Sequence, residues 1–198
     1  MSDPVVIVSA VRTPLGRLRG PLSAQAAPQL GAHVIREALA RGRVAPGNID
    51  EVFMGCVLPA GQGQAPARQA ARGAGLPDHV GATTVNKVCG SGMKAIMLGH
   101  DLILAGSVER VVSGGMESMS NAPYLLTKAR SGYRAGHDRL FDHMMLDGLE
   151  DAYEQGRAMG SFAQCTADDY QLTRKDMDDF DRFQVGRFLD GGQTADLE

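Results

Sequence analysis

Residues 85–96 constrain the fold more than any other stretch. An apolar strand runs into Cys89, and Gly90-Ser91-Gly92 then opens a long apolar helix. This layout sets one thiol at a helix N-terminus, where unpaired backbone N–H groups and the helix dipole favour thiolate over thiol. A thiolate is a strong nucleophile toward acyl groups. Gly90 and Gly92 remove side chains beside it, which lets a substrate approach and lets N–H groups face a developing oxyanion. Spacing alone leaves two readings of Cys89: a nucleophile, or a packed structural cysteine.

The rest of the chain repeats the strand-to-helix pattern. Residues 5–10 form a short β-branched run without alternation, which predicts a buried strand. Ser23 is placed to cap a helix whose stripe is Leu30, Val34, Ile35 and Leu39, ending near Gly42. Residues 51–58 give a second strand, and Pro66 starts a short Ala-rich helix that Gly75 stops. Residues 82–88 give a third strand. The helix over residues 91–105 is apolar on most sides and predicts burial all round. Residues 109–113 give a fourth strand. Strands alternating with helices imply a mostly parallel sheet with right-handed crossovers, an α/β fold. From Gly114 onward periodicity fades until a helix resumes over residues 161–170. Thr173 and Asp176 then have capping-box spacing and open a last helix, with a polar, frayed end at residues 190–194.

Composition narrows the function classes. With 43% hydrophobic and 22% charged residues, the 198-residue chain reads as one cored domain, or one plus part of a second. A net charge of -3 gives nucleic-acid binding no electrostatic support. No signal peptide or membrane-length apolar run is evident, so the expected compartment is the cytoplasm. Cys56, Cys89 and Cys165 make no C-x-x-C pair and no even set, which argues against a disulfide framework or a metal cluster.

Other features each have a plain reading beside the functional one. Cys56 lies within a strand and reads as a small buried hydrophobe. His33, His79, His100, His137 and His143 stand in no motif that specifies a general base, although a Cys–His hydrolase using His100 or His137 is a formal alternative. Met116, Met119, Met144, Met145 and Met159 could line a pocket, but methionine is more often packing material. Lys128, Arg130, Arg134 and Arg139 could hold a phosphate-bearing ligand or be a solvated loop.

Several motifs resemble one family, the thiolases. The stretch from Val85 to Ile96 looks like their nucleophile signature. Ser9-Ala10-Val11-Arg12-Thr13-Pro14, Leu58-Pro59-Ala60-Gly61-Gln62-Gly63-Gln64 and Pro66-Ala67-Arg68-Gln69-Ala70-Ala71 agree with it, as do Gly114-Gly115-Met116-Glu117-Ser118-Met119-Ser120 and the segment from Asp147 through Gly160. Ketoacyl synthases share the fold and a cysteine nucleophile, but residues 114–120 fit thiolases better. The resemblance implies a layered thiolase core with a mostly parallel sheet, plus part of a loop domain. It places the N-terminal core at 1–118, lacking its last strand, the partial loop domain at 119–180, and a tail that leaves the family pattern at 181–198.

The resemblance implies a reversible condensation of two acetyl-CoA to acetoacetyl-CoA and CoA, through an acyl group carried on Cys89, with no separate cofactor and no metal. It looks more like the short-chain biosynthetic branch than the degradative one. Leu149, Met159 and Arg157 fall where the family contacts the CoA arm or acyl pocket. Arg157-Ala158-Met159 stands where short-chain members often carry a histidine before the methionine, with one extra residue. Family members are about twice as long and form homo-oligomers. Their Gly-His-Pro and Cys-x-Gly-Gly-Gly motifs are not in these 198 residues. The resemblance therefore leads us to expect a truncated or frame-shifted thiolase with impaired turnover, or a non-catalytic half acting as an oligomer partner.

Overall fold

The computed structural model describes residues 5–192, with side chains through residue 183. The chain divides into two compact units, Met1–Leu149 and Glu150–Glu198.

The first unit is built on a three-stranded parallel sheet, β1 (Glu51–Gly55), β2 (Gly81–Val85) and β3 (Val111–Gly115), in the order β2-β1-β3. Val52 stands opposite Ala82 on one side and Val112 on the other. Helices α1 (Ala27–Gly42) and α2 (Pro66–Gly73) cover one face, where Val52 and Met54 point. Small residues let these helices pack closely. Ala32, Ala67, Ala70 and Ala71 are buried together with Ile35, Leu39, Cys56 and Met116. Helix α3 (Ser91–Leu104) lies on the opposite face, with Ser91 against Gly55 and Gly99 against Val111 and Ser113. Beyond the sheet come a short antiparallel pair, β4 (Tyr124–Leu125) and β5 (Phe141–Asp142), and a π-helical turn, Met145–Leu149.

The expected α/β alternation is present, with differences that have local causes. Residues 5–10 join no ladder, and Val6, Ile7 and Val8 are 67%, 81% and 68% exposed. A β-branched run becomes a strand only beside a partner edge, and none of the described strands pairs with it. Helix α1 starts after Ala26, not Ser23. Gln29 reaches back to accept the Ala26 N–H at 2.8 Å, and Pro28 presets the first turn. The strand expected at 51–58 stops at Gly55, because the Glu117 carboxylate takes the N–H groups of Val57 and Leu58 at 2.7 and 3.1 Å. The strand expected at 109–113 starts two residues late. Asp50 Oδ2 holds the N–H groups of Glu109 and Arg110 at 2.8 and 2.9 Å, which also sets that carboxyl below its ordinary range.

Helix α3 departs most from expectation. Only Ser91, Ala95 and Gly99 are buried, while Met93, Ile96, Met97 and Leu104 are half or more exposed. Its fully buried positions are all small residues.

In the second unit α4 (Met159–Asp169) and α5 (Arg174–Gly192) carry the helices expected there. Thr173 and Asp176 form the predicted box: Asp176 Oδ2 accepts the Thr173 N–H at 2.9 Å, and Thr173 Oγ1 accepts the Asp176 N–H at 3.2 Å. Helix α5 runs through residues 190–192, where fraying is expected, and residues 193 and 194 lie outside the described residues.

Candidate active site

The Cys89 turn is held by hydrogen bonds from both of its sides. Strand β2 ends at Val85, and Gly90 N–H donates to Lys87 C=O at 3.1 Å, closing a tight turn with Val88 and Cys89 at its centre. Val88 has φ +48°, a left-handed conformation that a β-branched residue rarely adopts. Asn86 Oδ1 accepts the Val88 N–H at 2.9 Å. Ser91 Oγ accepts the Lys87 N–H at 2.8 Å and donates to Val88 C=O at 2.6 Å. The thiol that follows is exposed, and no described side chain hydrogen-bonds to it.

Three glycines bring the first turn of α3 down onto the sheet. A Cβ on Gly55 would stand 2.7 Å from Ser91 Cβ and 2.8 Å from Gly92 N, so β1 and the helix meet backbone to backbone only because residue 55 has no side chain. Gly92 and Gly115 face each other in the same contact. Gly90 and Gly92 themselves are not required by backbone geometry. Gly90 has φ -88°, and a Cβ at either position would meet nothing closer than 3.4 Å. A Cβ at Gly92 would lie against Gly114 and Gly115 of β3, and one at Gly90 would lie nearest Lys87.

The other thiols differ. Cys56 is 1% exposed, with Sγ 3.6 Å from Glu117 Oε1, and burial followed by that carboxylate pushes it up to about 11. Cys165 is exposed on α4, with Arg157 Nη2 3.9 Å away. His143 is the one buried histidine among those described. Its Nε2 accepts the Ala60 N–H at 3.3 Å, so its Nδ1 carries the proton and donates to Asp147 Oδ2 at 2.5 Å. That arrangement ties the π-helical turn to the loop after β1 and does not involve Cys89. His33, His79, His100 and His137 are exposed.

The remaining sequence candidates are distributed between the units. Leu149 closes the π-helical turn of the first unit. Arg157 and Met159 belong to the second. Met159 is 40% exposed at the first position of α4. Arg157 pairs with both carboxylate oxygens of Glu154 at 2.8 Å and stacks over Phe162, its Cζ 3.7 Å from the ring centroid. No cluster of metal-ligating side chains occurs among the described residues, and no described helix is long and apolar enough to cross a membrane.

Asn86, Ser91, Gly55 and Glu117 shape this region, and the sequence reading did not single them out individually. Asn86 had a legible signal, an Asx residue two before a turn. Gly55 had none, because only the pairing register puts it under Ser91.

The fold is α/β, with an exposed cysteine at the mouth of a parallel strand-to-helix turn. The model of the thiolase N-terminal domain matches residues 5–181, and the chain belongs to the thiolase family. It is 53% identical over 180 residues to an acetyl-CoA acetyltransferase of Cupriavidus necator, covering 91% of this chain and 45% of that one. A cytosolic acetyl-CoA acetyltransferase of Gibberella zeae is 50% identical over 177 residues, covering 89% and 44%. Among solved structures, the Acat5 thiolase of Ascaris suum in complex with coenzyme A superposes with a TM-score of 0.83 at 39% identity, over 88% of this chain and 45% of that chain. The chain thus spans less than half the length of these relatives and corresponds to their N-terminal half.

Proposed function

We propose that this chain carries the nucleophile half of a thiolase-type acyltransferase acting on acetyl-CoA. The Cys89 thiolate attacks the thioester carbonyl of one acetyl-CoA. CoA leaves as its thiolate, and the acetyl group stays on sulfur. The carbanion of a second acetyl-CoA then attacks that carbonyl, releasing Cys89 and forming acetoacetyl-CoA. The observation that carries this reading is the exposed Cys89 on a turn tied to the first turn of α3, in a chain of the thiolase family.

Forming the carbanion requires a base, and no described histidine stands within hydrogen-bonding distance of Cys89. The Gly-His-Pro and Cys-x-Gly-Gly-Gly motifs, which the family resemblance assigns to activation and proton transfer, do not occur in the 198 residues. The 198-residue polypeptide is therefore expected to take an acetyl group without sustained turnover. Leu149, Met159 and Arg157 are proposed to meet the CoA arm or acyl pocket. The cytoplasm is the proposed compartment, as for the relative from Gibberella zeae. The test is acetoacetyl-CoA cleavage and synthesis by the purified polypeptide. Sustained turnover would overturn the need for the two missing motifs.

One observation favours a second reading, an oligomer partner. Met93, Ile96, Met97 and Leu104 recur on α3 at helical spacing and are exposed, a stripe that association would bury. Light scattering discriminates: a clean monomer at all concentrations argues against obligatory pairing.

A further inference from the structure

We infer that Asn86 and Ser91 are positioning residues for Cys89, a two-sided clamp that holds Val88 in its left-handed conformation and so fixes where the thiol stands. This rests on the reading of Cys89 as the nucleophile. Val88 does not remain at φ +48° for its own benefit. It is β-branched and 49% exposed, so packing offsets little of the strain. What holds it is polar. Asn86 Oδ1 takes the Val88 N–H at 2.9 Å, and Ser91 Oγ–H and N–H both reach Val88 C=O, at 2.6 and 3.0 Å. Lys87 is held in the same way, its N–H by Ser91 Oγ at 2.8 Å and its C=O by the Gly90 N–H at 3.1 Å.

Each jaw is anchored elsewhere. Ser91 is buried, with its Cβ directly above Gly55 of the central strand. Asn86 Nδ2 makes a long bond, 3.5 Å, to Val57 C=O, and the Val57 N–H is held by Glu117 at 2.7 Å. A continuous path therefore runs from Glu117 through Val57 and Asn86 to the residue before the nucleophile. Strain concentrated next to a reactive side chain, and held by neighbours on both sides, is what preorganisation of a nucleophile requires.

The test is a rescue experiment on the 198-residue chain. Acetylation of Cys89 by acetyl-CoA and its alkylation by iodoacetamide are followed by peptide mass spectrometry, with Cys165 as the internal reference and circular dichroism as the check on folding. Asn86→Ala is expected to slow Cys89 acetylation about tenfold. Asn86→Asp, which keeps the acceptor oxygen, is expected to stay within roughly threefold of the parent. Adding Val88→Gly to Asn86→Ala is expected to restore the rate, because glycine occupies positive φ unaided. A general folding defect would not be repaired by a second substitution to glycine. Should Asn86→Ala fail to fold, Ser91→Ala with and without Val88→Gly reads the same strain. A folded Asn86→Ala protein with the parent rate, or no recovery on adding Val88→Gly, overturns the clamp. If the parent takes no acetyl group, yet the Cys89 to Cys165 alkylation ratio shifts in Asn86→Ala and returns with Val88→Gly, the clamp stands and the acyl-transfer reading falls.

Discussion

Gly55→Ala should disable the site from beneath the first turn of α3, without touching Cys89. The added Cβ would lie 2.7 Å from both Ser91 C and Ser91 Cβ and 2.8 Å from Gly92 N. Ordinary contact begins near 3.4 Å, so the first turn of α3 must retreat by about 0.7 Å. None of the opposing atoms is the end of a flexible side chain, so no rotamer change relieves the clash. Overpacking of this kind costs about 1–3 kcal/mol, which for a chain of this length lowers Tm by roughly 2–4 °C per kcal/mol. The chemical effect should be larger. A reacting group displaced by about 1 Å can lose on the order of 100-fold in rate, so a loss of about tenfold or more in Cys89 acetylation is expected. Gly47→Ala is the control, since nothing lies within 4 Å of a Cβ there. Thermal unfolding and mass-spectrometric acetylation rates measure both effects. A Gly55→Ala protein with parental Tm and parental acetylation would refute the claim that bare backbone contact seats the nucleophile turn.

Three further outcomes follow from the same geometry. Gly92→Ala meets only ordinary contacts and replaces glycine at a helical position, so it should match or exceed the parent's stability, by up to about 1 kcal/mol. Its Cys89 acetylation should stay near the parent's, because the added Cβ lies against Gly114 and Gly115 of β3 at ordinary contact; a clear loss would show that this contact also governs the thiol. Asp50→Asn should lose stability at neutral pH and little at low pH. The Asp50 carboxyl sits below its ordinary 3.8, so its contribution is present above that value and fades as pH drops through the lower folded-state value. Denaturant titrations from pH 7 to pH 2 check the sign. Cys56 should resist iodoacetamide at pH 8 while Cys89 reacts. Because its thiol is raised from 9.0 to about 11, stability should decline as pH climbs from 9 through 11. Rapid labelling of Cys56 at pH 8 in folded protein would contradict its burial against Glu117.

The sequence revealed repeating local patterns better than features that depend on distant partners. The stripe Leu30, Val34, Ile35, Leu39 located α1, and the spacing of Thr173 and Asp176 located the start of α5, because both signals are contained within a few residues. The nucleophile turn was legible for the same reason: strand, cysteine, glycines and helix are contiguous. The run at 5–10 misled, because its composition specifies strand only when another strand lies beside it. Helix α3 misled in another way. Counting large apolar residues predicted burial all round, whereas the fully buried positions are the small Ser91, Ala95 and Gly99, where the helix approaches the sheet closely. The strand ends were set by carboxylates far away in sequence, Glu117 for β1 and Asp50 for β3. No local pattern could announce those capping bonds. Nor could it reveal that Val88 is strained, which only the backbone shows.

The central claim is that Cys89 alone among the three cysteines accepts an acyl group. Incubating the 198-residue protein with acetyl-CoA, digesting it and locating the added acetyl mass tests this directly. An acetyl group on the Cys89 peptide, lost when Cys89→Ala is used, is the predicted result. Acetyl on Cys165 or Cys56 with Cys89 unmodified would contradict the account.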